Sequence, residues 1–185
     1  MRYSSVVVLA LLTVAAAVPA APQAADYTKS LAPYVPSPQP IVEKMLEAAR
    51  VRPNEVVYDL GSGDGRVLIT AAKKFKAKSV GVELSPALAK KAADWIEQEG
   101  LKERCQVIQG DLREVDLSAA DVVVLYLLTS SNELLRPALE KSLKAGARVV
   151  SHDFEIREWN PTRVVQAEAY GRVHSIFVYE WPVTK

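Results

Sequence analysis

Apolar residues along this chain gather in short continuous runs separated by stretches of helical spacing, an alternation that predicts an α/β fold. Val56-Val57-Tyr58, Ser79-Val80-Gly81-Val82, Cys105-Gln106-Val107-Ile108, Asp121 to Leu127 and Ala147 to Ser151 read as buried strands. A parallel strand covered on both faces loses the polar alternation of a half-exposed one. Ahead of the first run, Ile41, Val42, Met45, Leu46 and Ala49 form one face of a helix extending to Arg50, with Pro40 admissible in its first turn. Val67, Leu68, Ala71 and Ala72 mark a second helix, and another is expected from about Asn132 to Leu143, ended by Gly146. Pro137 is tolerable there only near the first turn or at a kink. The tail alternates from Val164 to Ala169, turns at Tyr170-Gly171 and alternates again from Arg172 to Trp181, the pattern of a terminal β-hairpin. Tyr170, Tyr179 and Trp181 are expected to serve core or edge packing. The elements sum to a seven-stranded, mostly parallel sheet with a C-terminal antiparallel hairpin and helices on both faces.

The first strand runs into Asp59-Leu60-Gly61-Ser62-Gly63-Asp64-Gly65-Arg66. Lacking a Cβ, Gly61, Gly63 and Gly65 let the backbone turn sharply and approach a ligand, and the following helix begins with free N–H groups. A dinucleotide fingerprint, G-x-G-x-x-G, needs its third glycine at position 66, where this chain has Arg66. The second strand ends in Glu83, near where a ribose-binding acid stands about 20 residues beyond such a loop. The alternative is a solvated acid ahead of a helix opened by Ser85-Pro86. After the third strand, Asp111 is either another ligand-facing acid or a turn aspartate. Three acids at the ends of three successive strands point to one ligand crossing the carboxyl edge of the sheet, where open α/β folds bind.

Asp59-x-Gly61-x-Gly63-x-Gly65 resembles motif I of the class I S-adenosylmethionine-dependent methyltransferases. That resemblance implies a Rossmann-like fold and S-adenosyl-L-methionine as cofactor, a ligand with a cationic sulfonium and no phosphate. It implies that Asp59, Gly61, Ser62, Gly63 and Gly65 form the cofactor loop and Glu83 takes the ribose. Asp111 would contact the adenine amino group, with Leu112 beside the ring. Tyr34-Val35-Pro36-Ser37-Pro38, a short helix and motif I together resemble the mitochondrial lysine methyltransferases of the ATP synthase c subunit and the adenine nucleotide translocase, with their bacterial relatives. The likeness runs from about Tyr34 to Pro161. It makes Tyr34 and Ser37 candidate cofactor contacts and a protein lysine, in a membrane protein or otherwise, or a small amine the expected acceptor. Trp159 and Pro161 fit the family, whereas Glu155 to Glu158 departs from it.

The composition describes one ordinary globular domain: 185 residues, 49% hydrophobic, 24% charged. A formal charge of +1 offers no basic footprint for nucleic acid, and the single cysteine, Cys105, excludes an intrachain disulfide. Arg2, the apolar run Val6 to Ala17 and Val18-Pro19-Ala20 have the layout of a secretory signal peptide. Extension through Ala25 gives length for an uncleaved anchor. Residues 1–25 are therefore expected to be a signal peptide or membrane anchor, 26–40 a proline-rich strap and 41–185 the cofactor domain. Export or membrane association follows, in tension with a cofactor made in the cytosol.

The acceptor should face the end of the fourth strand. Nucleic-acid amino methyltransferases carry an Asn or Asp, two prolines and an aromatic there, and Leu125 to Asn132 has no such order. Tyr126 and Thr129 are candidate pocket residues, and His152, after the fifth strand, is a candidate base with an ordinary pKa near 6.5 or a hydrogen-bonded structural histidine. No metal site is expected, because His152-Asp153 lacks a further ligand at nearby spacing and His174 falls on a later strand. A noncatalytic exported binding protein and, less well supported, an NAD-dependent oxidoreductase are the competing readings.

Overall fold

The computed structural model describes residues 30–184, so the signal-like or anchor-like segment 1–25 lies outside the described residues. Eleven elements follow one another: α1 (Gln39–Ala48), β1 (Val56–Leu60), α2 (Arg66–Phe75), β2 (Lys78–Glu83), α3 (Pro86–Gln98), β3 (Cys105–Gln109), β4 (Val122–Leu125), α4 (Thr129–Ser142), β5 (Arg148–His152), β6 (Arg163–Ala169) and β7 (Arg172–Glu180). The strands form one seven-stranded sheet in the order β3-β2-β1-β4-β5-β7-β6. It is parallel from β3 to β5, while β7 runs antiparallel to both β5 and β6.

The strand pattern explains the layering. Val57, Val122, Val124 and Val150 turn one way and join Ile41, Met45 and Leu46 of α1 and Val67 and Ala71 of α2 in one core. Tyr58, Leu60, Val123, Leu125 and Val149 turn the other way, onto Leu135 and Leu139 of α4. Because successive strand side chains point to opposite faces, a run without polar gaps requires cover on both. A smaller cluster of Leu68 and Ala72 with Ile96 of α3 and Cys105 completes the α2 side.

The chain builds β1, β2 and β3 outward in one direction, then returns to lay β4 against the opposite edge of β1. The connections leaving β1 and β4 therefore diverge, opening a crevice at the carboxyl ends of these two strands. Gly81 on β2 lies opposite Asp59 in the register and keeps the crevice floor tight. A Cβ there would stand 2.5 Å from Ser62 Oγ and 2.6 Å from Leu68 Cδ1.

Three local expectations are corrected. Helix α4 starts at Thr129, earlier than Asn132, because the Leu128 carbonyl accepts the N–H groups of Ser131 and Asn132, both at 2.9 Å. Pro137 consequently sits inside the helix, where it withholds one backbone hydrogen bond. Tyr170 is not a packing residue: it is 84% exposed at the hairpin tip. Tyr170 and Gly171 have φ of 51° and 75°, as a two-residue turn of primed type requires. Tyr179 does pack in the core, its hydroxyl accepting the Ile156 N–H at 2.9 Å.

Replacing Gly81 by alanine is expected to force Ser62 and Leu68 apart and cost on the order of 1–3 kcal/mol. Thermal denaturation of Gly81→Ala against wild type checks this, and an unchanged midpoint would refute the close approach.

Candidate cofactor and acceptor site

A cavity of about 400 Å³ occupies the β1–β4 crevice. Nine of the ten residues read as cofactor contacts line it: Tyr34, Ser37, Asp59, Gly61, Ser62, Gly63, Glu83, Asp111 and Leu112. The exception is Gly65, which precedes α2 with φ of 84° and stands against α3, where a Cβ would lie 3.0 Å from that of Ala92. Its absent side chain serves close packing against α3.

Asp59, next to last in β1, is buried at 5% exposure and has no side-chain hydrogen bond among the described residues. Burial, followed by the nearby carboxylates of Glu83 and Asp64, pushes its pKa up to about 8. Such a group calls for a cation. Glu83 is nearly as buried, but its oxygens are anchored: Oε2 accepts the Gly63 N–H at 2.8 Å and Oε1 the Ser85 N–H at 2.8 Å. This fixes the carboxylate at the tip of β2, with lone pairs left for ligand hydroxyls. The solvated alternative for Glu83 is thereby removed. Asp111 carries an ion pair with Arg113 beside the same cavity.

The proline-rich segment closes over the loop. The Tyr34 ring lies so near Gly63, whose φ is 54°, that a Cβ there would be 2.4 Å from Tyr34 Cε2. Burial and the Asp64 carboxylate hold the Tyr34 phenol above its usual pKa, so it stays neutral. Arg66 completes the clasp, its guanidinium pairing with Asp64 at 2.7 Å and donating from Nη1 to the Ser37 carbonyl at 2.9 Å. Asp64 and Arg66, which the sequence does not mark as contacts, both line the cavity. Their signal was the same Arg66 that breaks the dinucleotide fingerprint.

On the acceptor side, Val124, Tyr126 and Leu127 line the cavity, whereas Thr129 and His152 do not. His152 is fully buried and both ring nitrogens are engaged, Nδ1 with Ser37 Oγ and Nε2 with His174 Nδ1, each at 2.9 Å. Burial is the main cause that lowers its pKa to about 4. It is a neutral structural histidine, not a base facing an acceptor. Tyr126 stacks on it with ring centroids 3.9 Å apart, so the histidine supports the cavity wall from behind. Trp159 is buried between Tyr179 and Trp181 and donates to Glu140 at 3.0 Å, away from the cavity.

The residues fit S-adenosylmethionine. A buried carboxyl without a side-chain hydrogen bond among the described residues suits its cationic methionine end, the anchored Glu83 suits its ribose, and the buried Ser62 Oγ has no hydrogen-bond partner among the described residues. The Glu83 carboxylate, with Asp64 already paired to Arg66, leaves the loop without a free cation among the described residues for a pyrophosphate.

The model of the ANTKMT methyltransferase domain matches residues 59–163. A protein-lysine N-methyltransferase of Saccharolobus islandicus is 49% identical over 148 residues, covering 80% of this chain and 92% of that protein. The adenine nucleotide translocase lysine N-methyltransferase of Mus musculus is 36% identical over 80% of this chain, which spans 63% of it, less than two thirds. A crystal structure described as an RNA methyltransferase from Salinibacter ruber with S-adenosyl-L-homocysteine is 45% identical, with a TM-score of 0.75 over 80% of this chain and 94% of that one.

Asp59 makes ligand binding pH-dependent. Its folded pKa is raised above the ordinary aspartate value, so its stabilising proton is present at acid pH and lost as pH rises through about 8. Unliganded protein should therefore lose stability across that window, and affinity for the cationic cofactor should rise across it. Asp59→Asn is expected to raise the melting temperature at pH 8 while abolishing the thermal shift given by S-adenosylmethionine, as differential scanning fluorimetry across pH would record. The matched segment holds the glycine loop and all three strand-end acids, and the chain belongs to the ANTKMT methyltransferase family, whose cofactor is S-adenosylmethionine.

Proposed function

We propose that the protein methylates the ε-amino group of a lysine in a protein substrate. The observation that carries this reading is the division of the cavity: its acids stand around the glycine loop, while Val124, Tyr126 and Leu127 give the β4 side an apolar wall. A lysine stem of four methylenes packs along such a wall, and desolvation there lowers the amine pKa toward the neutral, nucleophilic form. When bound, S-adenosylmethionine supplies an electrophilic methyl group for in-line displacement. The protein contributes alignment, which supplies much of the advantage in such transfers. Asp59 and Glu83 hold the donor end, and Tyr126, held in place by His152, orients the acceptor. Burial keeps the Tyr126 phenol above its usual pKa, so it serves as a neutral wall.

The names of the archaeal and mouse relatives support a protein lysine, and the charge of +1 supports it against an extended phosphate backbone. Tyr34 and Val35 on the strap and Leu128 after β4 are exposed apolar residues at 46%, 56% and 41%. With the apolar character of residues 1–25, they favour an acceptor protein at a membrane and membrane association of the enzyme. No helix among the described residues is long and apolar enough to cross a membrane.

Incubation with methyl-labelled S-adenosylmethionine, a membrane extract and total RNA should transfer label to protease-sensitive, nuclease-resistant material, with methyl-lysine found by mass spectrometry. Label in RNA, as the description of the Salinibacter relative would have it, would overturn the lysine assignment. Tyr126→Ala should lower acceptor turnover by about tenfold or more, through lost alignment, while S-adenosylhomocysteine still binds.

A further inference from the structure

His152 and Asp153, at the end of β5, meet His174 of the antiparallel neighbour β7. Three donor atoms converge there. His152 Nε2 is 2.9 Å from His174 Nδ1, His174 Nδ1 is 3.0 Å from Asp153 Oδ2, and His152 Nε2 is 3.5 Å from the same oxygen. Three ligands each about 2.1 Å from one ion stand about 3.0 Å apart at octahedral angles and about 3.4 Å apart at tetrahedral ones. The observed triangle covers that range.

We propose that His152, Asp153 and His174 form a binding site for one transition-metal dication of the zinc, cobalt or nickel type. Two imidazoles and one carboxylate favour these ions over magnesium and calcium, which prefer oxygen ligands. His152 and His174 lie 22 residues apart in the chain, and the β5–β7 pairing brings them together.

Two of the three proposed ligands have the outer partners typical of a metal site. Ser37 Oγ stands 2.9 Å from His152 Nδ1, and Asp153 Oδ1 accepts the Ser175 N–H at 2.9 Å. Asp153 itself is held at φ of 58°, which swings its carboxylate back toward the two rings. With His174 Nδ1–H donating to Asp153, His152 Nε2 faces the centre with its lone pair, and His152 Nδ1–H donates to Ser37. One proton then serves three converging atoms. Metal binding moves that proton from Nδ1 to Nε2 of His174, a change of tautomer with no net proton release, and displaces water from the ion.

Arg172 supplies the opposing argument and a test. Its guanidinium lies 2.9 Å from Asp153 Oδ2 with the side chain 64% exposed, so it competes for the same oxygen and is free to swing into solvent. A bound ion would also reach the cofactor cavity, because His152 carries both the hydrogen bond to the strap residue Ser37 and the stacked ring of Tyr126.

The test is metal binding by the full-length, tag-free protein after treatment with a chelator, read by equilibrium dialysis with Zn²⁺ and by the visible spectrum with Co²⁺. The expected result is one equivalent of either ion, d–d bands of nitrogen- and oxygen-bound cobalt, and no displacement by excess Mg²⁺. His174→Ala and Asp153→Asn should each weaken binding by about 100-fold or more, since loss of an outer partner alone costs 10- to 100-fold. Arg172→Gln, remote from the cavity lining, should tighten it severalfold. Binding below one equivalent, equal affinity in wild type and His174→Ala, or displacement by Mg²⁺ would overturn the proposal. Should His174→Ala fail to fold, an Arg172→Gln affinity no tighter than wild type would do so alone. None of these readouts depends on methyl transfer, so failure of the lysine assignment would leave them intact.

Discussion

The site is organised around the burial of one carboxyl group that has no hydrogen-bond partner among the described residues. Asp59 stands near the carboxyl end of β1, where the strand order switches from β2 on one side to β4 on the other and the crevice opens. Removal from water raises its pKa to about 8, and Glu83 and Asp64 add to that rise. Such an arrangement is costly in the unliganded protein and is relieved by a bound cation. S-adenosylmethionine is such a cation, and the proposed role of Asp59 gives the folding penalty and the binding preference one origin.

The strap makes this burial possible. Tyr34 over Gly63 and the Arg66 guanidinium on the Ser37 carbonyl hold an extended proline-rich segment across the cavity mouth. Prolines suit this position because they lack N–H groups that would need partners and their fixed φ reduces the entropy lost on docking. On its other side the strap meets His152 through Ser37, which places the β5–β7 cluster one hydrogen bond from the cofactor site. Cofactor loop, strap and terminal hairpin are thus mechanically continuous.

Much of this was legible in the chain. The apolar runs gave the central strands and the glycine spacing gave the loop, because both depend on residues adjacent in sequence. Glu83 and Asp111 were readable as strand-end acids for the same reason. Gly65 lies outside the cavity lining and against Ala92 on α3, an approach that no local pattern records. The start of α4 was misplaced because Thr129-Ser130-Ser131 looks like loop chemistry, and the backbone acceptor at Leu128 overrides it. Tyr170 looked like packing by its size, whereas its position in a two-residue turn points it into solvent.

Sequence alone determined the fold class, the glycine loop and the strand-end acids that line the cavity, because strand burial and glycine conformations are short-range properties with period and spacing. Only the tertiary structure decided that Arg66 clasps the strap, that Trp159 belongs to the core, and that His152 supports Tyr126 instead of facing an acceptor. It also decided that two histidines separated along the chain meet a carboxylate at one point. Those are facts of register between strands and of loops crossing the sheet, and the contacts that set them join residues far apart in the chain.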